Sequence, residues 1–271
     1  MRAPGAPTRR EGGFAWAGAA LFAGSLGYFL FSYVVTFGEI AAGPLTAGAL
    51  VTNTALFSVF GLHHSVFARE RVRAWVARQF TPALERSVYV WIASLMLILV
   101  CALWRPVPGV AWDVGGAPRW LLHGAQLFGV WLTLRSAAVI DVWELAGVRQ
   151  VEGGPQGPPL HVSGDRPSPD DQRGRPSSDD RRGRPSGRPE SSEFSTEGPY
   201  GWVRHPIYLG WFLIVFPVPL MTMTRLLFAV VSSVYILIAI PFEERSLRRT
   251  SGGAYEPYRR KVRWKLIPRL Y

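Results

Sequence analysis

The chain has 271 residues, of which 48% are hydrophobic, and carries a formal net charge of +11. The apolar residues form blocks of about 20, the length that crosses a bilayer, which excludes an ordinary soluble globular protein. The basic residues stand beside alternate blocks, which argues against a nucleic-acid-binding protein. The single cysteine, Cys101, lies inside an apolar block, so no intrachain disulfide can form.

Six apolar blocks predict an all-α integral membrane protein, a bundle of about five to six transmembrane helices. The first four blocks lie within residues 1–150, and the last two lie within residues 193–271. The fifth block is short and contains Pro217 and Pro219, so we expect it to be kinked or partly re-entrant. The blocks lie at 14–38, 45–67, 87–104, 119–140, 206–221 and 225–242.

Arginines mark one side of the predicted membrane. They precede the first block and follow the second, fourth and sixth blocks, whereas the alternate loops contain few cations. Because cytoplasmic loops carry an excess of Lys and Arg, both termini are predicted to be cytoplasmic. The chain is therefore expected to be a multi-pass protein of the inner (plasma) membrane, with a basic face that attracts anionic lipid.

The second block ends in His63, His64 and Ser65, shortly before Arg69. Adjacent residues of a helix point roughly 100° apart, so the two histidines do not share one metal ion easily. No third ligand is evident in the sequence, and we therefore expect no metal site. Two interpretations remain open: these residues are interfacial polar groups that end the span, or they line a cavity in which substrate meets cofactor.

A polar segment interrupts the apolar blocks after Gln150. Residues 153–192 are rich in Pro, Gly, Ser, Asp and Arg, and DDQRGRPSS at 170–178 is followed directly by DDRRGRPSG at 179–187. Such a segment contains too few apolar residues to offset its conformational entropy. We expect a disordered insertion with no assigned function, which separates Gln150 from the motifs that follow.

The stretch GPYGWVRHPIYLG, residues 198–210, is the most informative part of the sequence. Its proline suits the first turn of a helix, whose N-terminus presents free N–H groups to an anion. Arg204 and His205 add a cation and a titratable ring, and Tyr200 and Tyr208 add aromatic faces that can hold a cation. The combination predicts a binding site at the cytoplasmic membrane surface rather than a plain helix start.

The sixth block ends at Glu243 and Glu244, on the same predicted side of the membrane. Glu244 and Arg248 are four residues apart, so an ion pair along one helix face is one interpretation, which leaves Glu243 unaccounted for. A basic segment follows and is expected to lie along the membrane surface, with Tyr255, Tyr258 and residues 259–263.

Residues from Tyr200 to Pro268 resemble the core of the isoprenylcysteine carboxyl methyltransferase and phospholipid methyltransferase superfamily. The shared pattern is G-x-Y-x-x-x-R-H-P-x-Y-x-G, a short hairpin, E-E, Y-x-x-Y and a closing I-P. The segments HHSVFAR, ERSVYVWIASLMLILVCALWRP, IDVWELAGVRQ and MTMTRLLFAVVSSVYILIAIPFEERSL are similar to the bacterial methanethiol S-methyltransferase branch, which has NnrU-like relatives. The resemblance covers most of residues 50–268 apart from the insertion.

This resemblance implies an integral membrane enzyme that uses S-adenosylmethionine, bound in a cytoplasm-facing pocket of the C-terminal half. It implies cofactor contacts from residues on both sides of the insertion: Gln150, Glu193, Phe194, Ser195, Tyr200, His205, Pro206, Ile207, Tyr208, Glu243 and Glu244.

The chemistry suggests roles for the remaining candidates. Methyl transfer from a sulfonium to a thiolate joins a cation and an anion into neutral products, so a dry, low-dielectric site favours it. A thiol must first be deprotonated or held near positive charge. Arg204 and His64 are the candidates for that step, and His205 is the third candidate catalytic residue. Ser65 and Arg69 are the candidate acceptor-binding residues.

The favoured acceptor is a small thiol such as methanethiol, which would yield dimethyl sulfide. A prenylated cysteine or a lipid amine is the alternative within enzymes, although Ala239 stands where prenylcysteine enzymes carry the arginine for a substrate carboxylate. His63 also departs from the Gln-His-Ser of the methanethiol branch. The alternative from another class is a non-catalytic NnrU-like membrane protein.

Overall fold

The computed structural model describes residues 8–67, 70–81, 83–152, 196–251 and 253–271. The insertion expected at 153–192 lies outside the described residues, as do four candidate site residues, Arg69, Glu193, Phe194 and Ser195. Two short 3-10 turns, Thr36–Gly38 and Gly198–Gly201, accompany the longer elements. In chain order these are α1 Arg9–Val34, α2 Ala47–Phe67, α3 Glu70–Gln79, α4 Glu85–Leu103, β1 Val110–Asp113, α5 Pro118–Ile140, α6 Val142–Leu145, α7 Pro206–Val215, β2 Leu220–Thr222, α8 Met223–Thr250 and α9 Tyr255–Lys261.

The helices agree with a membrane protein. Within the described residues, three helical stretches are long and apolar enough to cross a bilayer: Arg9–Gly38, Glu85–Leu103 and Met223–Thr250. Helices α2 and α5 match two further expected blocks and have 21 and 23 residues, but polar side chains interrupt them. That α2 and α5 also cross the membrane therefore stays a prediction.

The fifth expected block, 206–221, is helical only as far as Val215. Ten residues of α-helix measure about 15 Å, half of the bilayer's hydrocarbon core of about 30 Å, so α7 cannot cross alone. Pro217 and Pro219 follow it, and a proline inside a helix removes a hydrogen-bond donor and clashes with the preceding turn. The chain then enters β2, which pairs antiparallel with β1, with Val110 opposite Thr222.

A cluster of aromatic rings fills the core between α1, α2, α4 and α8. Phe228 lies at its centre and is fully buried. The ring centroids of its neighbours lie 5.1–5.6 Å away, at Phe29, Phe37, Phe57 and Trp104. Such contacts add to the apolar area that each ring removes from solvent or lipid. The site described below lies near the opposite, C-terminal end of α8.

Two glycines allow α5 and α7 to approach closely. A Cβ atom on Gly129 would lie 2.9 Å from the carbonyl oxygen of Gly210, and one on Gly210 would lie 2.9 Å from that of Gly129. Small residues let helix backbones meet in this way inside a membrane. The contact matters for the site because α7 begins directly after His205.

A buried arginine joins the first and last long helices. The Arg225 Nε donates to the Tyr33 carbonyl at 2.9 Å, Nη2 donates to Val34 at 2.5 Å, and Nη1 donates to Leu220 at 2.5 Å. The last carbonyls of a helix have no partner within the helix, and here Arg225 supplies two of them with donors. The end of α1 is thereby fixed to the start of α8.

Candidate functional site

The candidate site is built where α7 begins and α8 ends. The backbone N–H groups of Arg204 and His205 donate to the carbonyls of Trp264 and Lys265, both at 2.9 Å. The chain after α9 therefore runs alongside Arg204 and His205 and holds them in place. Pro206 then starts α7, as the sequence predicted, because its missing N–H is not needed in a first turn.

Arg204 forms a buried ion pair with Glu244. Its Nε donates to Glu244 Oε1 at 2.8 Å, and only 5% and 7% of the two side chains are exposed. The Nη1 group donates to the carbonyls of Val262 and Arg263 at 2.9 and 2.7 Å. This arginine is thus engaged with protein groups, which favours a structural role over the activation of a thiolate suggested by its sequence position.

The pairing of Glu244 corrects the interpretation of the sequence that joined it to Arg248. Arg248 Nε lies 3.4 Å from Glu256 Oε1 instead, on the segment that follows α8. A spacing of four residues allows an ion pair along a helix, but a buried carboxylate is better stabilised by the buried guanidinium of another segment.

His205 lies between the two adjacent carboxylates. Its Nδ1 is 3.6 Å from Glu243 Oε2, and its Nε2 is 3.5 Å from Glu244 Oε1. The imidazole stacks on Tyr208 with ring centroids 5.4 Å apart, and the Tyr208 hydroxyl donates to Glu243 Oε2 at 2.9 Å. Glu243 is 29% exposed, so a ligand can reach its carboxylate, while His205 and Tyr208 hold that carboxylate in position.

Three further tyrosines surround this cluster. The Tyr258 hydroxyl donates to the Tyr200 carbonyl at 3.0 Å. Burial raises the pKa of the Tyr200 phenol, and the negative charge of Glu243 raises it further. Burial likewise raises the pKa of Tyr255, and the Glu244 carboxylate beside it acts in the same direction. These phenols therefore remain protonated hydrogen-bond donors at neutral pH.

The positions of Tyr255 and Tyr258 correct the expectation that they lie along the membrane surface. Their exposed fractions are 1% and 7%, and they pack with Leu247 and Val262. The basic residues around them suggested an interfacial helix. The aromatic residues of α9 are instead buried inside the protein, and Arg204 donates to the Val262 carbonyl directly after α9.

His64 and Ser65 lie at the end of α2, where each contacts a tyrosine. Tyr89 Oη is 3.0 Å from His64 Nδ1, and Tyr235 Oη is 2.5 Å from Ser65 Oγ. Tyr235 also donates to the Gly61 carbonyl. Tyr89 and Tyr235 lie within segments that carry the family resemblance, but the sequence did not single them out, because a single tyrosine in an apolar helix is common.

The two groups of residues are joined by α8. Tyr235, which contacts Ser65, stands eight residues before Glu243 on α8. A Cβ atom on Gly61 would lie 2.5 Å from the Tyr235 ring, so α2 and α8 approach closely at this point. The end of α2 thus lies against the part of α8 that leads to Glu243.

Gln150 follows a tight turn that packs on α4. Gly147 adopts a φ of +77°, and Ser87 Oγ donates to its carbonyl at 2.8 Å. Gln150 Oε1 is buried and has no hydrogen-bond partner among the described residues. Gln150 takes no part in the hydrogen bonds and ion pairs described above for the C-terminal cluster. A buried acceptor of this kind is a candidate to receive a donor from a ligand.

The described residues offer no cluster of side chains for a metal ion. Across residues 8–67, 70–81, 83–152, 196–251 and 253–271, no three His, Cys, Asp or Glu side chains are grouped to hold one. Pro206 is buried and Ile207 is half-buried in the first turn of α7. The described candidates supply carboxylate, aromatic and amide groups.

Comparison with known proteins agrees with this geometry. The model of the isoprenylcysteine carboxyl methyltransferase (ICMT) family matches residues 189–249, which contain the RHP run and both glutamates. The chain is 35% identical over 244 residues to methanethiol S-methyltransferase 2 of Bradyrhizobium diazoefficiens, covering 90% of this chain and 83% of the relative.

Two further relatives extend the comparison. The chain is 36% identical over 215 residues to methanethiol S-methyltransferase of Mycobacterium tuberculosis, covering 79% of this chain and 76% of the relative. It is 28% identical over 211 residues to nurim of Homo sapiens, covering 73% and 68% respectively. No solved structure matches the chain.

Proposed function

Because the chain belongs to the methanethiol S-methyltransferase family, we propose that it transfers a methyl group from S-adenosylmethionine to the sulfur of methanethiol, forming dimethyl sulfide. The observation that carries the proposal is the Tyr208–Glu243–His205 cluster at the start of α7, adjoining His64 and Ser65. The names of the two methanethiol S-methyltransferases support methanethiol as the acceptor, and we propose that the two groups of residues are the donor side and the acceptor side of one transfer.

The residues present fit S-adenosylmethionine, which supplies an electrophilic methyl group on a sulfonium when bound. Its hydroxyls and amine are donors, and Glu243 offers a partly exposed carboxylate to accept from them. Gln150 Oε1 is a buried acceptor without a partner among the described residues. Tyr200 and Tyr208 add aromatic groups that stabilise a nearby cation. We propose these residues, with His205, Pro206 and Ile207, as the cofactor-binding set, to which Glu193, Phe194 and Ser195 are added from the sequence alone.

The acceptor side has a different chemical task. A thiol is a weak nucleophile until it loses its proton, so a base must lie close to it. His64 is the proposed base, and Ser65, with Arg69 from the sequence, is proposed to hold the acceptor. Arg204 is proposed to keep Glu244 and the RHP run in place, since its donors are engaged with protein acceptors. A site that excludes water favours the transfer, because charge is lost as the transition state forms.

We propose that the site opens to the cytoplasm and that the protein resides in the inner membrane, with both termini in the cytoplasm. The charge distribution supports this orientation, since arginines follow α2, α5 and α8 in the sequence. In this orientation the small apolar thiol enters the site from the bilayer, and the charged cofactor enters it from water.

Headspace gas chromatography tests the proposal. Membranes that contain the protein are supplied with S-adenosylmethionine and methanethiol, and dimethyl sulfide is measured for wild type, Glu243→Gln and Glu39→Gln. Glu39 is exposed near the far end of α1 and serves as the matched control. We expect product from wild type and Glu39→Gln and little from Glu243→Gln. Product from a prenylated cysteine or a lipid amine, with none from methanethiol, would replace the acceptor. Neither product nor cofactor binding would favour a non-catalytic protein.

A further inference from the structure

Tyr89 contacts both of the adjacent histidines at the end of α2. Its hydroxyl oxygen lies 3.0 Å from His64 Nδ1 and 3.5 Å from Nε2, so the closer contact is at Nδ1. Its ring stacks on His63, with centroids 5.6 Å apart and planes inclined by 8°. The guanidinium carbon of Arg86 lies 4.9 Å from the ring centroid. The stacking, cation–π and hydrogen-bond contacts together fix both the ring and the hydroxyl of Tyr89.

His63 contributes through its ring face. Both of its nitrogen atoms are buried and have no hydrogen-bond partner among the described residues. Its imidazole therefore supports Tyr89 by stacking, while the neighbouring His64 makes the polar contact. The two adjacent histidines of the sequence thus have different tasks, one holding the tyrosine and one being held by it.

The contact at Nδ1 bears on which form of His64 is present. A histidine that accepts a proton at Nε2 must carry its own proton on Nδ1, and the partner of Nδ1 fixes that tautomer. Tyr89 Oη lies where it accepts from that N–H when His64 carries its proton on Nδ1.

We propose that Tyr89 is a positioning residue that holds His64 as the base for the acceptor thiol, an inference that rests on the methyltransferase function proposed above. The S–H proton first passes to His64 Nε2, and the resulting thiolate sulfur then forms its bond to the methyl carbon. The electron pair of the breaking sulfonium C–S bond stays on the departing S-adenosylhomocysteine. His64 then releases the proton to water when the neutral thioether leaves.

Tyr89→Phe tests the role directly, because it removes the hydroxyl and keeps the ring that stacks on His63. Tyr28→Phe is the matched control, since Tyr28 is 37% exposed on α1. We expect Tyr89→Phe to lower kcat about tenfold, a part of what general-base catalysis contributes. The Kd for S-adenosylmethionine, measured by calorimetry in detergent, should remain at the wild-type value, which shows that the variant is folded.

A double-mutant cycle with His64→Ala separates positioning from a general loss of structure. If Tyr89 acts through His64, adding Tyr89→Phe to His64→Ala should lower kcat no further. Losses that multiply in the double variant, or a Tyr89→Phe enzyme as fast as Tyr28→Phe, would overturn the proposal.

The acidity of the acceptor provides a second readout. An aryl thiol ionises more readily than an alkanethiol and depends less on a base. The loss caused by Tyr89→Phe should therefore be smaller with thiophenol than with methanethiol. Equal losses with the two thiols would overturn the role in deprotonation. An inactive wild-type protein would overturn both proposals, whereas an active one with an unaffected Tyr89→Phe variant overturns this one alone.

Discussion

Arg204 and Glu244 form a buried ion pair of 2.8 Å between the start of α7 and the end of α8. We predict that Arg204→Ala mainly destabilises the protein, by about 3–5 kcal/mol, because a buried carboxylate and two carbonyls lose their donor. Thermal unfolding in detergent measures this, with the exposed Arg249→Ala as control. Melting temperatures equal to that of wild type, together with lost turnover, would instead support a direct role in activating the thiol.

Tyr208→Phe should weaken cofactor binding without unfolding the protein. The hydroxyl donates to Glu243 Oε2, and a hydrogen bond to a charged acceptor contributes roughly 1.5–3 kcal/mol. The ring that stacks on His205 is retained. We expect the Kd for S-adenosylmethionine to rise about tenfold and kcat at saturating cofactor to change little. Isothermal titration calorimetry and initial rates check the two parts, and an unchanged Kd would contradict the assignment of Glu243.

Gln150→Leu should separate cofactor binding from stability. The Gln150 Oε1 atom is buried without a partner among the described residues, and an unsatisfied acceptor costs about 1–3 kcal/mol. An apolar side chain of similar size removes that cost, so the melting temperature should stay level or rise while cofactor affinity falls. A lower melting temperature with full affinity would show that Gln150 has a structural role only.

Gly129→Ala should loosen the contact between α5 and α7. The added methyl would lie 2.8 Å from Leu213 Cβ and 2.9 Å from the Gly210 carbonyl, and backbone atoms cannot give way cheaply. We expect a loss of about 1–3 kcal/mol, typical of an overpacked contact. Gly124→Ala is the control on the same helix, because its Cβ would meet nothing within 4 Å. Equal melting temperatures for the two variants would contradict close packing at Gly129.

The C-terminal cluster was visible in the sequence because its residues stand in two short motifs, R-H-P-x-Y and E-E. The RHP run, Tyr208 and Glu243 were identified in this way. In the structure His205 brings them together, because its two ring nitrogens lie 3.6 Å from Glu243 and 3.5 Å from Glu244. The partner of Glu244 was predicted wrongly. Local spacing pointed to Arg248, whereas burial determined that the carboxylate pairs with Arg204. Burial depends on the fold and is not visible in a spacing of four residues.

Tyr89 and the end of α7 show two other limits. Tyr89 stands alone in an apolar helix, so only its neighbours in space reveal its contact with His64. The fifth apolar block appeared longer than its helix because hydropathy measures composition and not backbone geometry. Its prolines were the correct local signal, and the pairing of β2 with β1 explains why the chain is extended there.

The clamp made by Arg225 has a consequence for biosynthesis. Helix α1 leaves the ribosome first, yet the donors for its last carbonyls arrive 192 residues later, with Arg225 at the start of α8. Until then these carbonyls must find other partners, and the aromatic core around Phe228 also lacks its central ring. The end of α1 and the aromatic core can therefore reach their final contacts only after α8 has been made. A chain truncated before α8 would lack both the donors for these carbonyls and the central ring of the core.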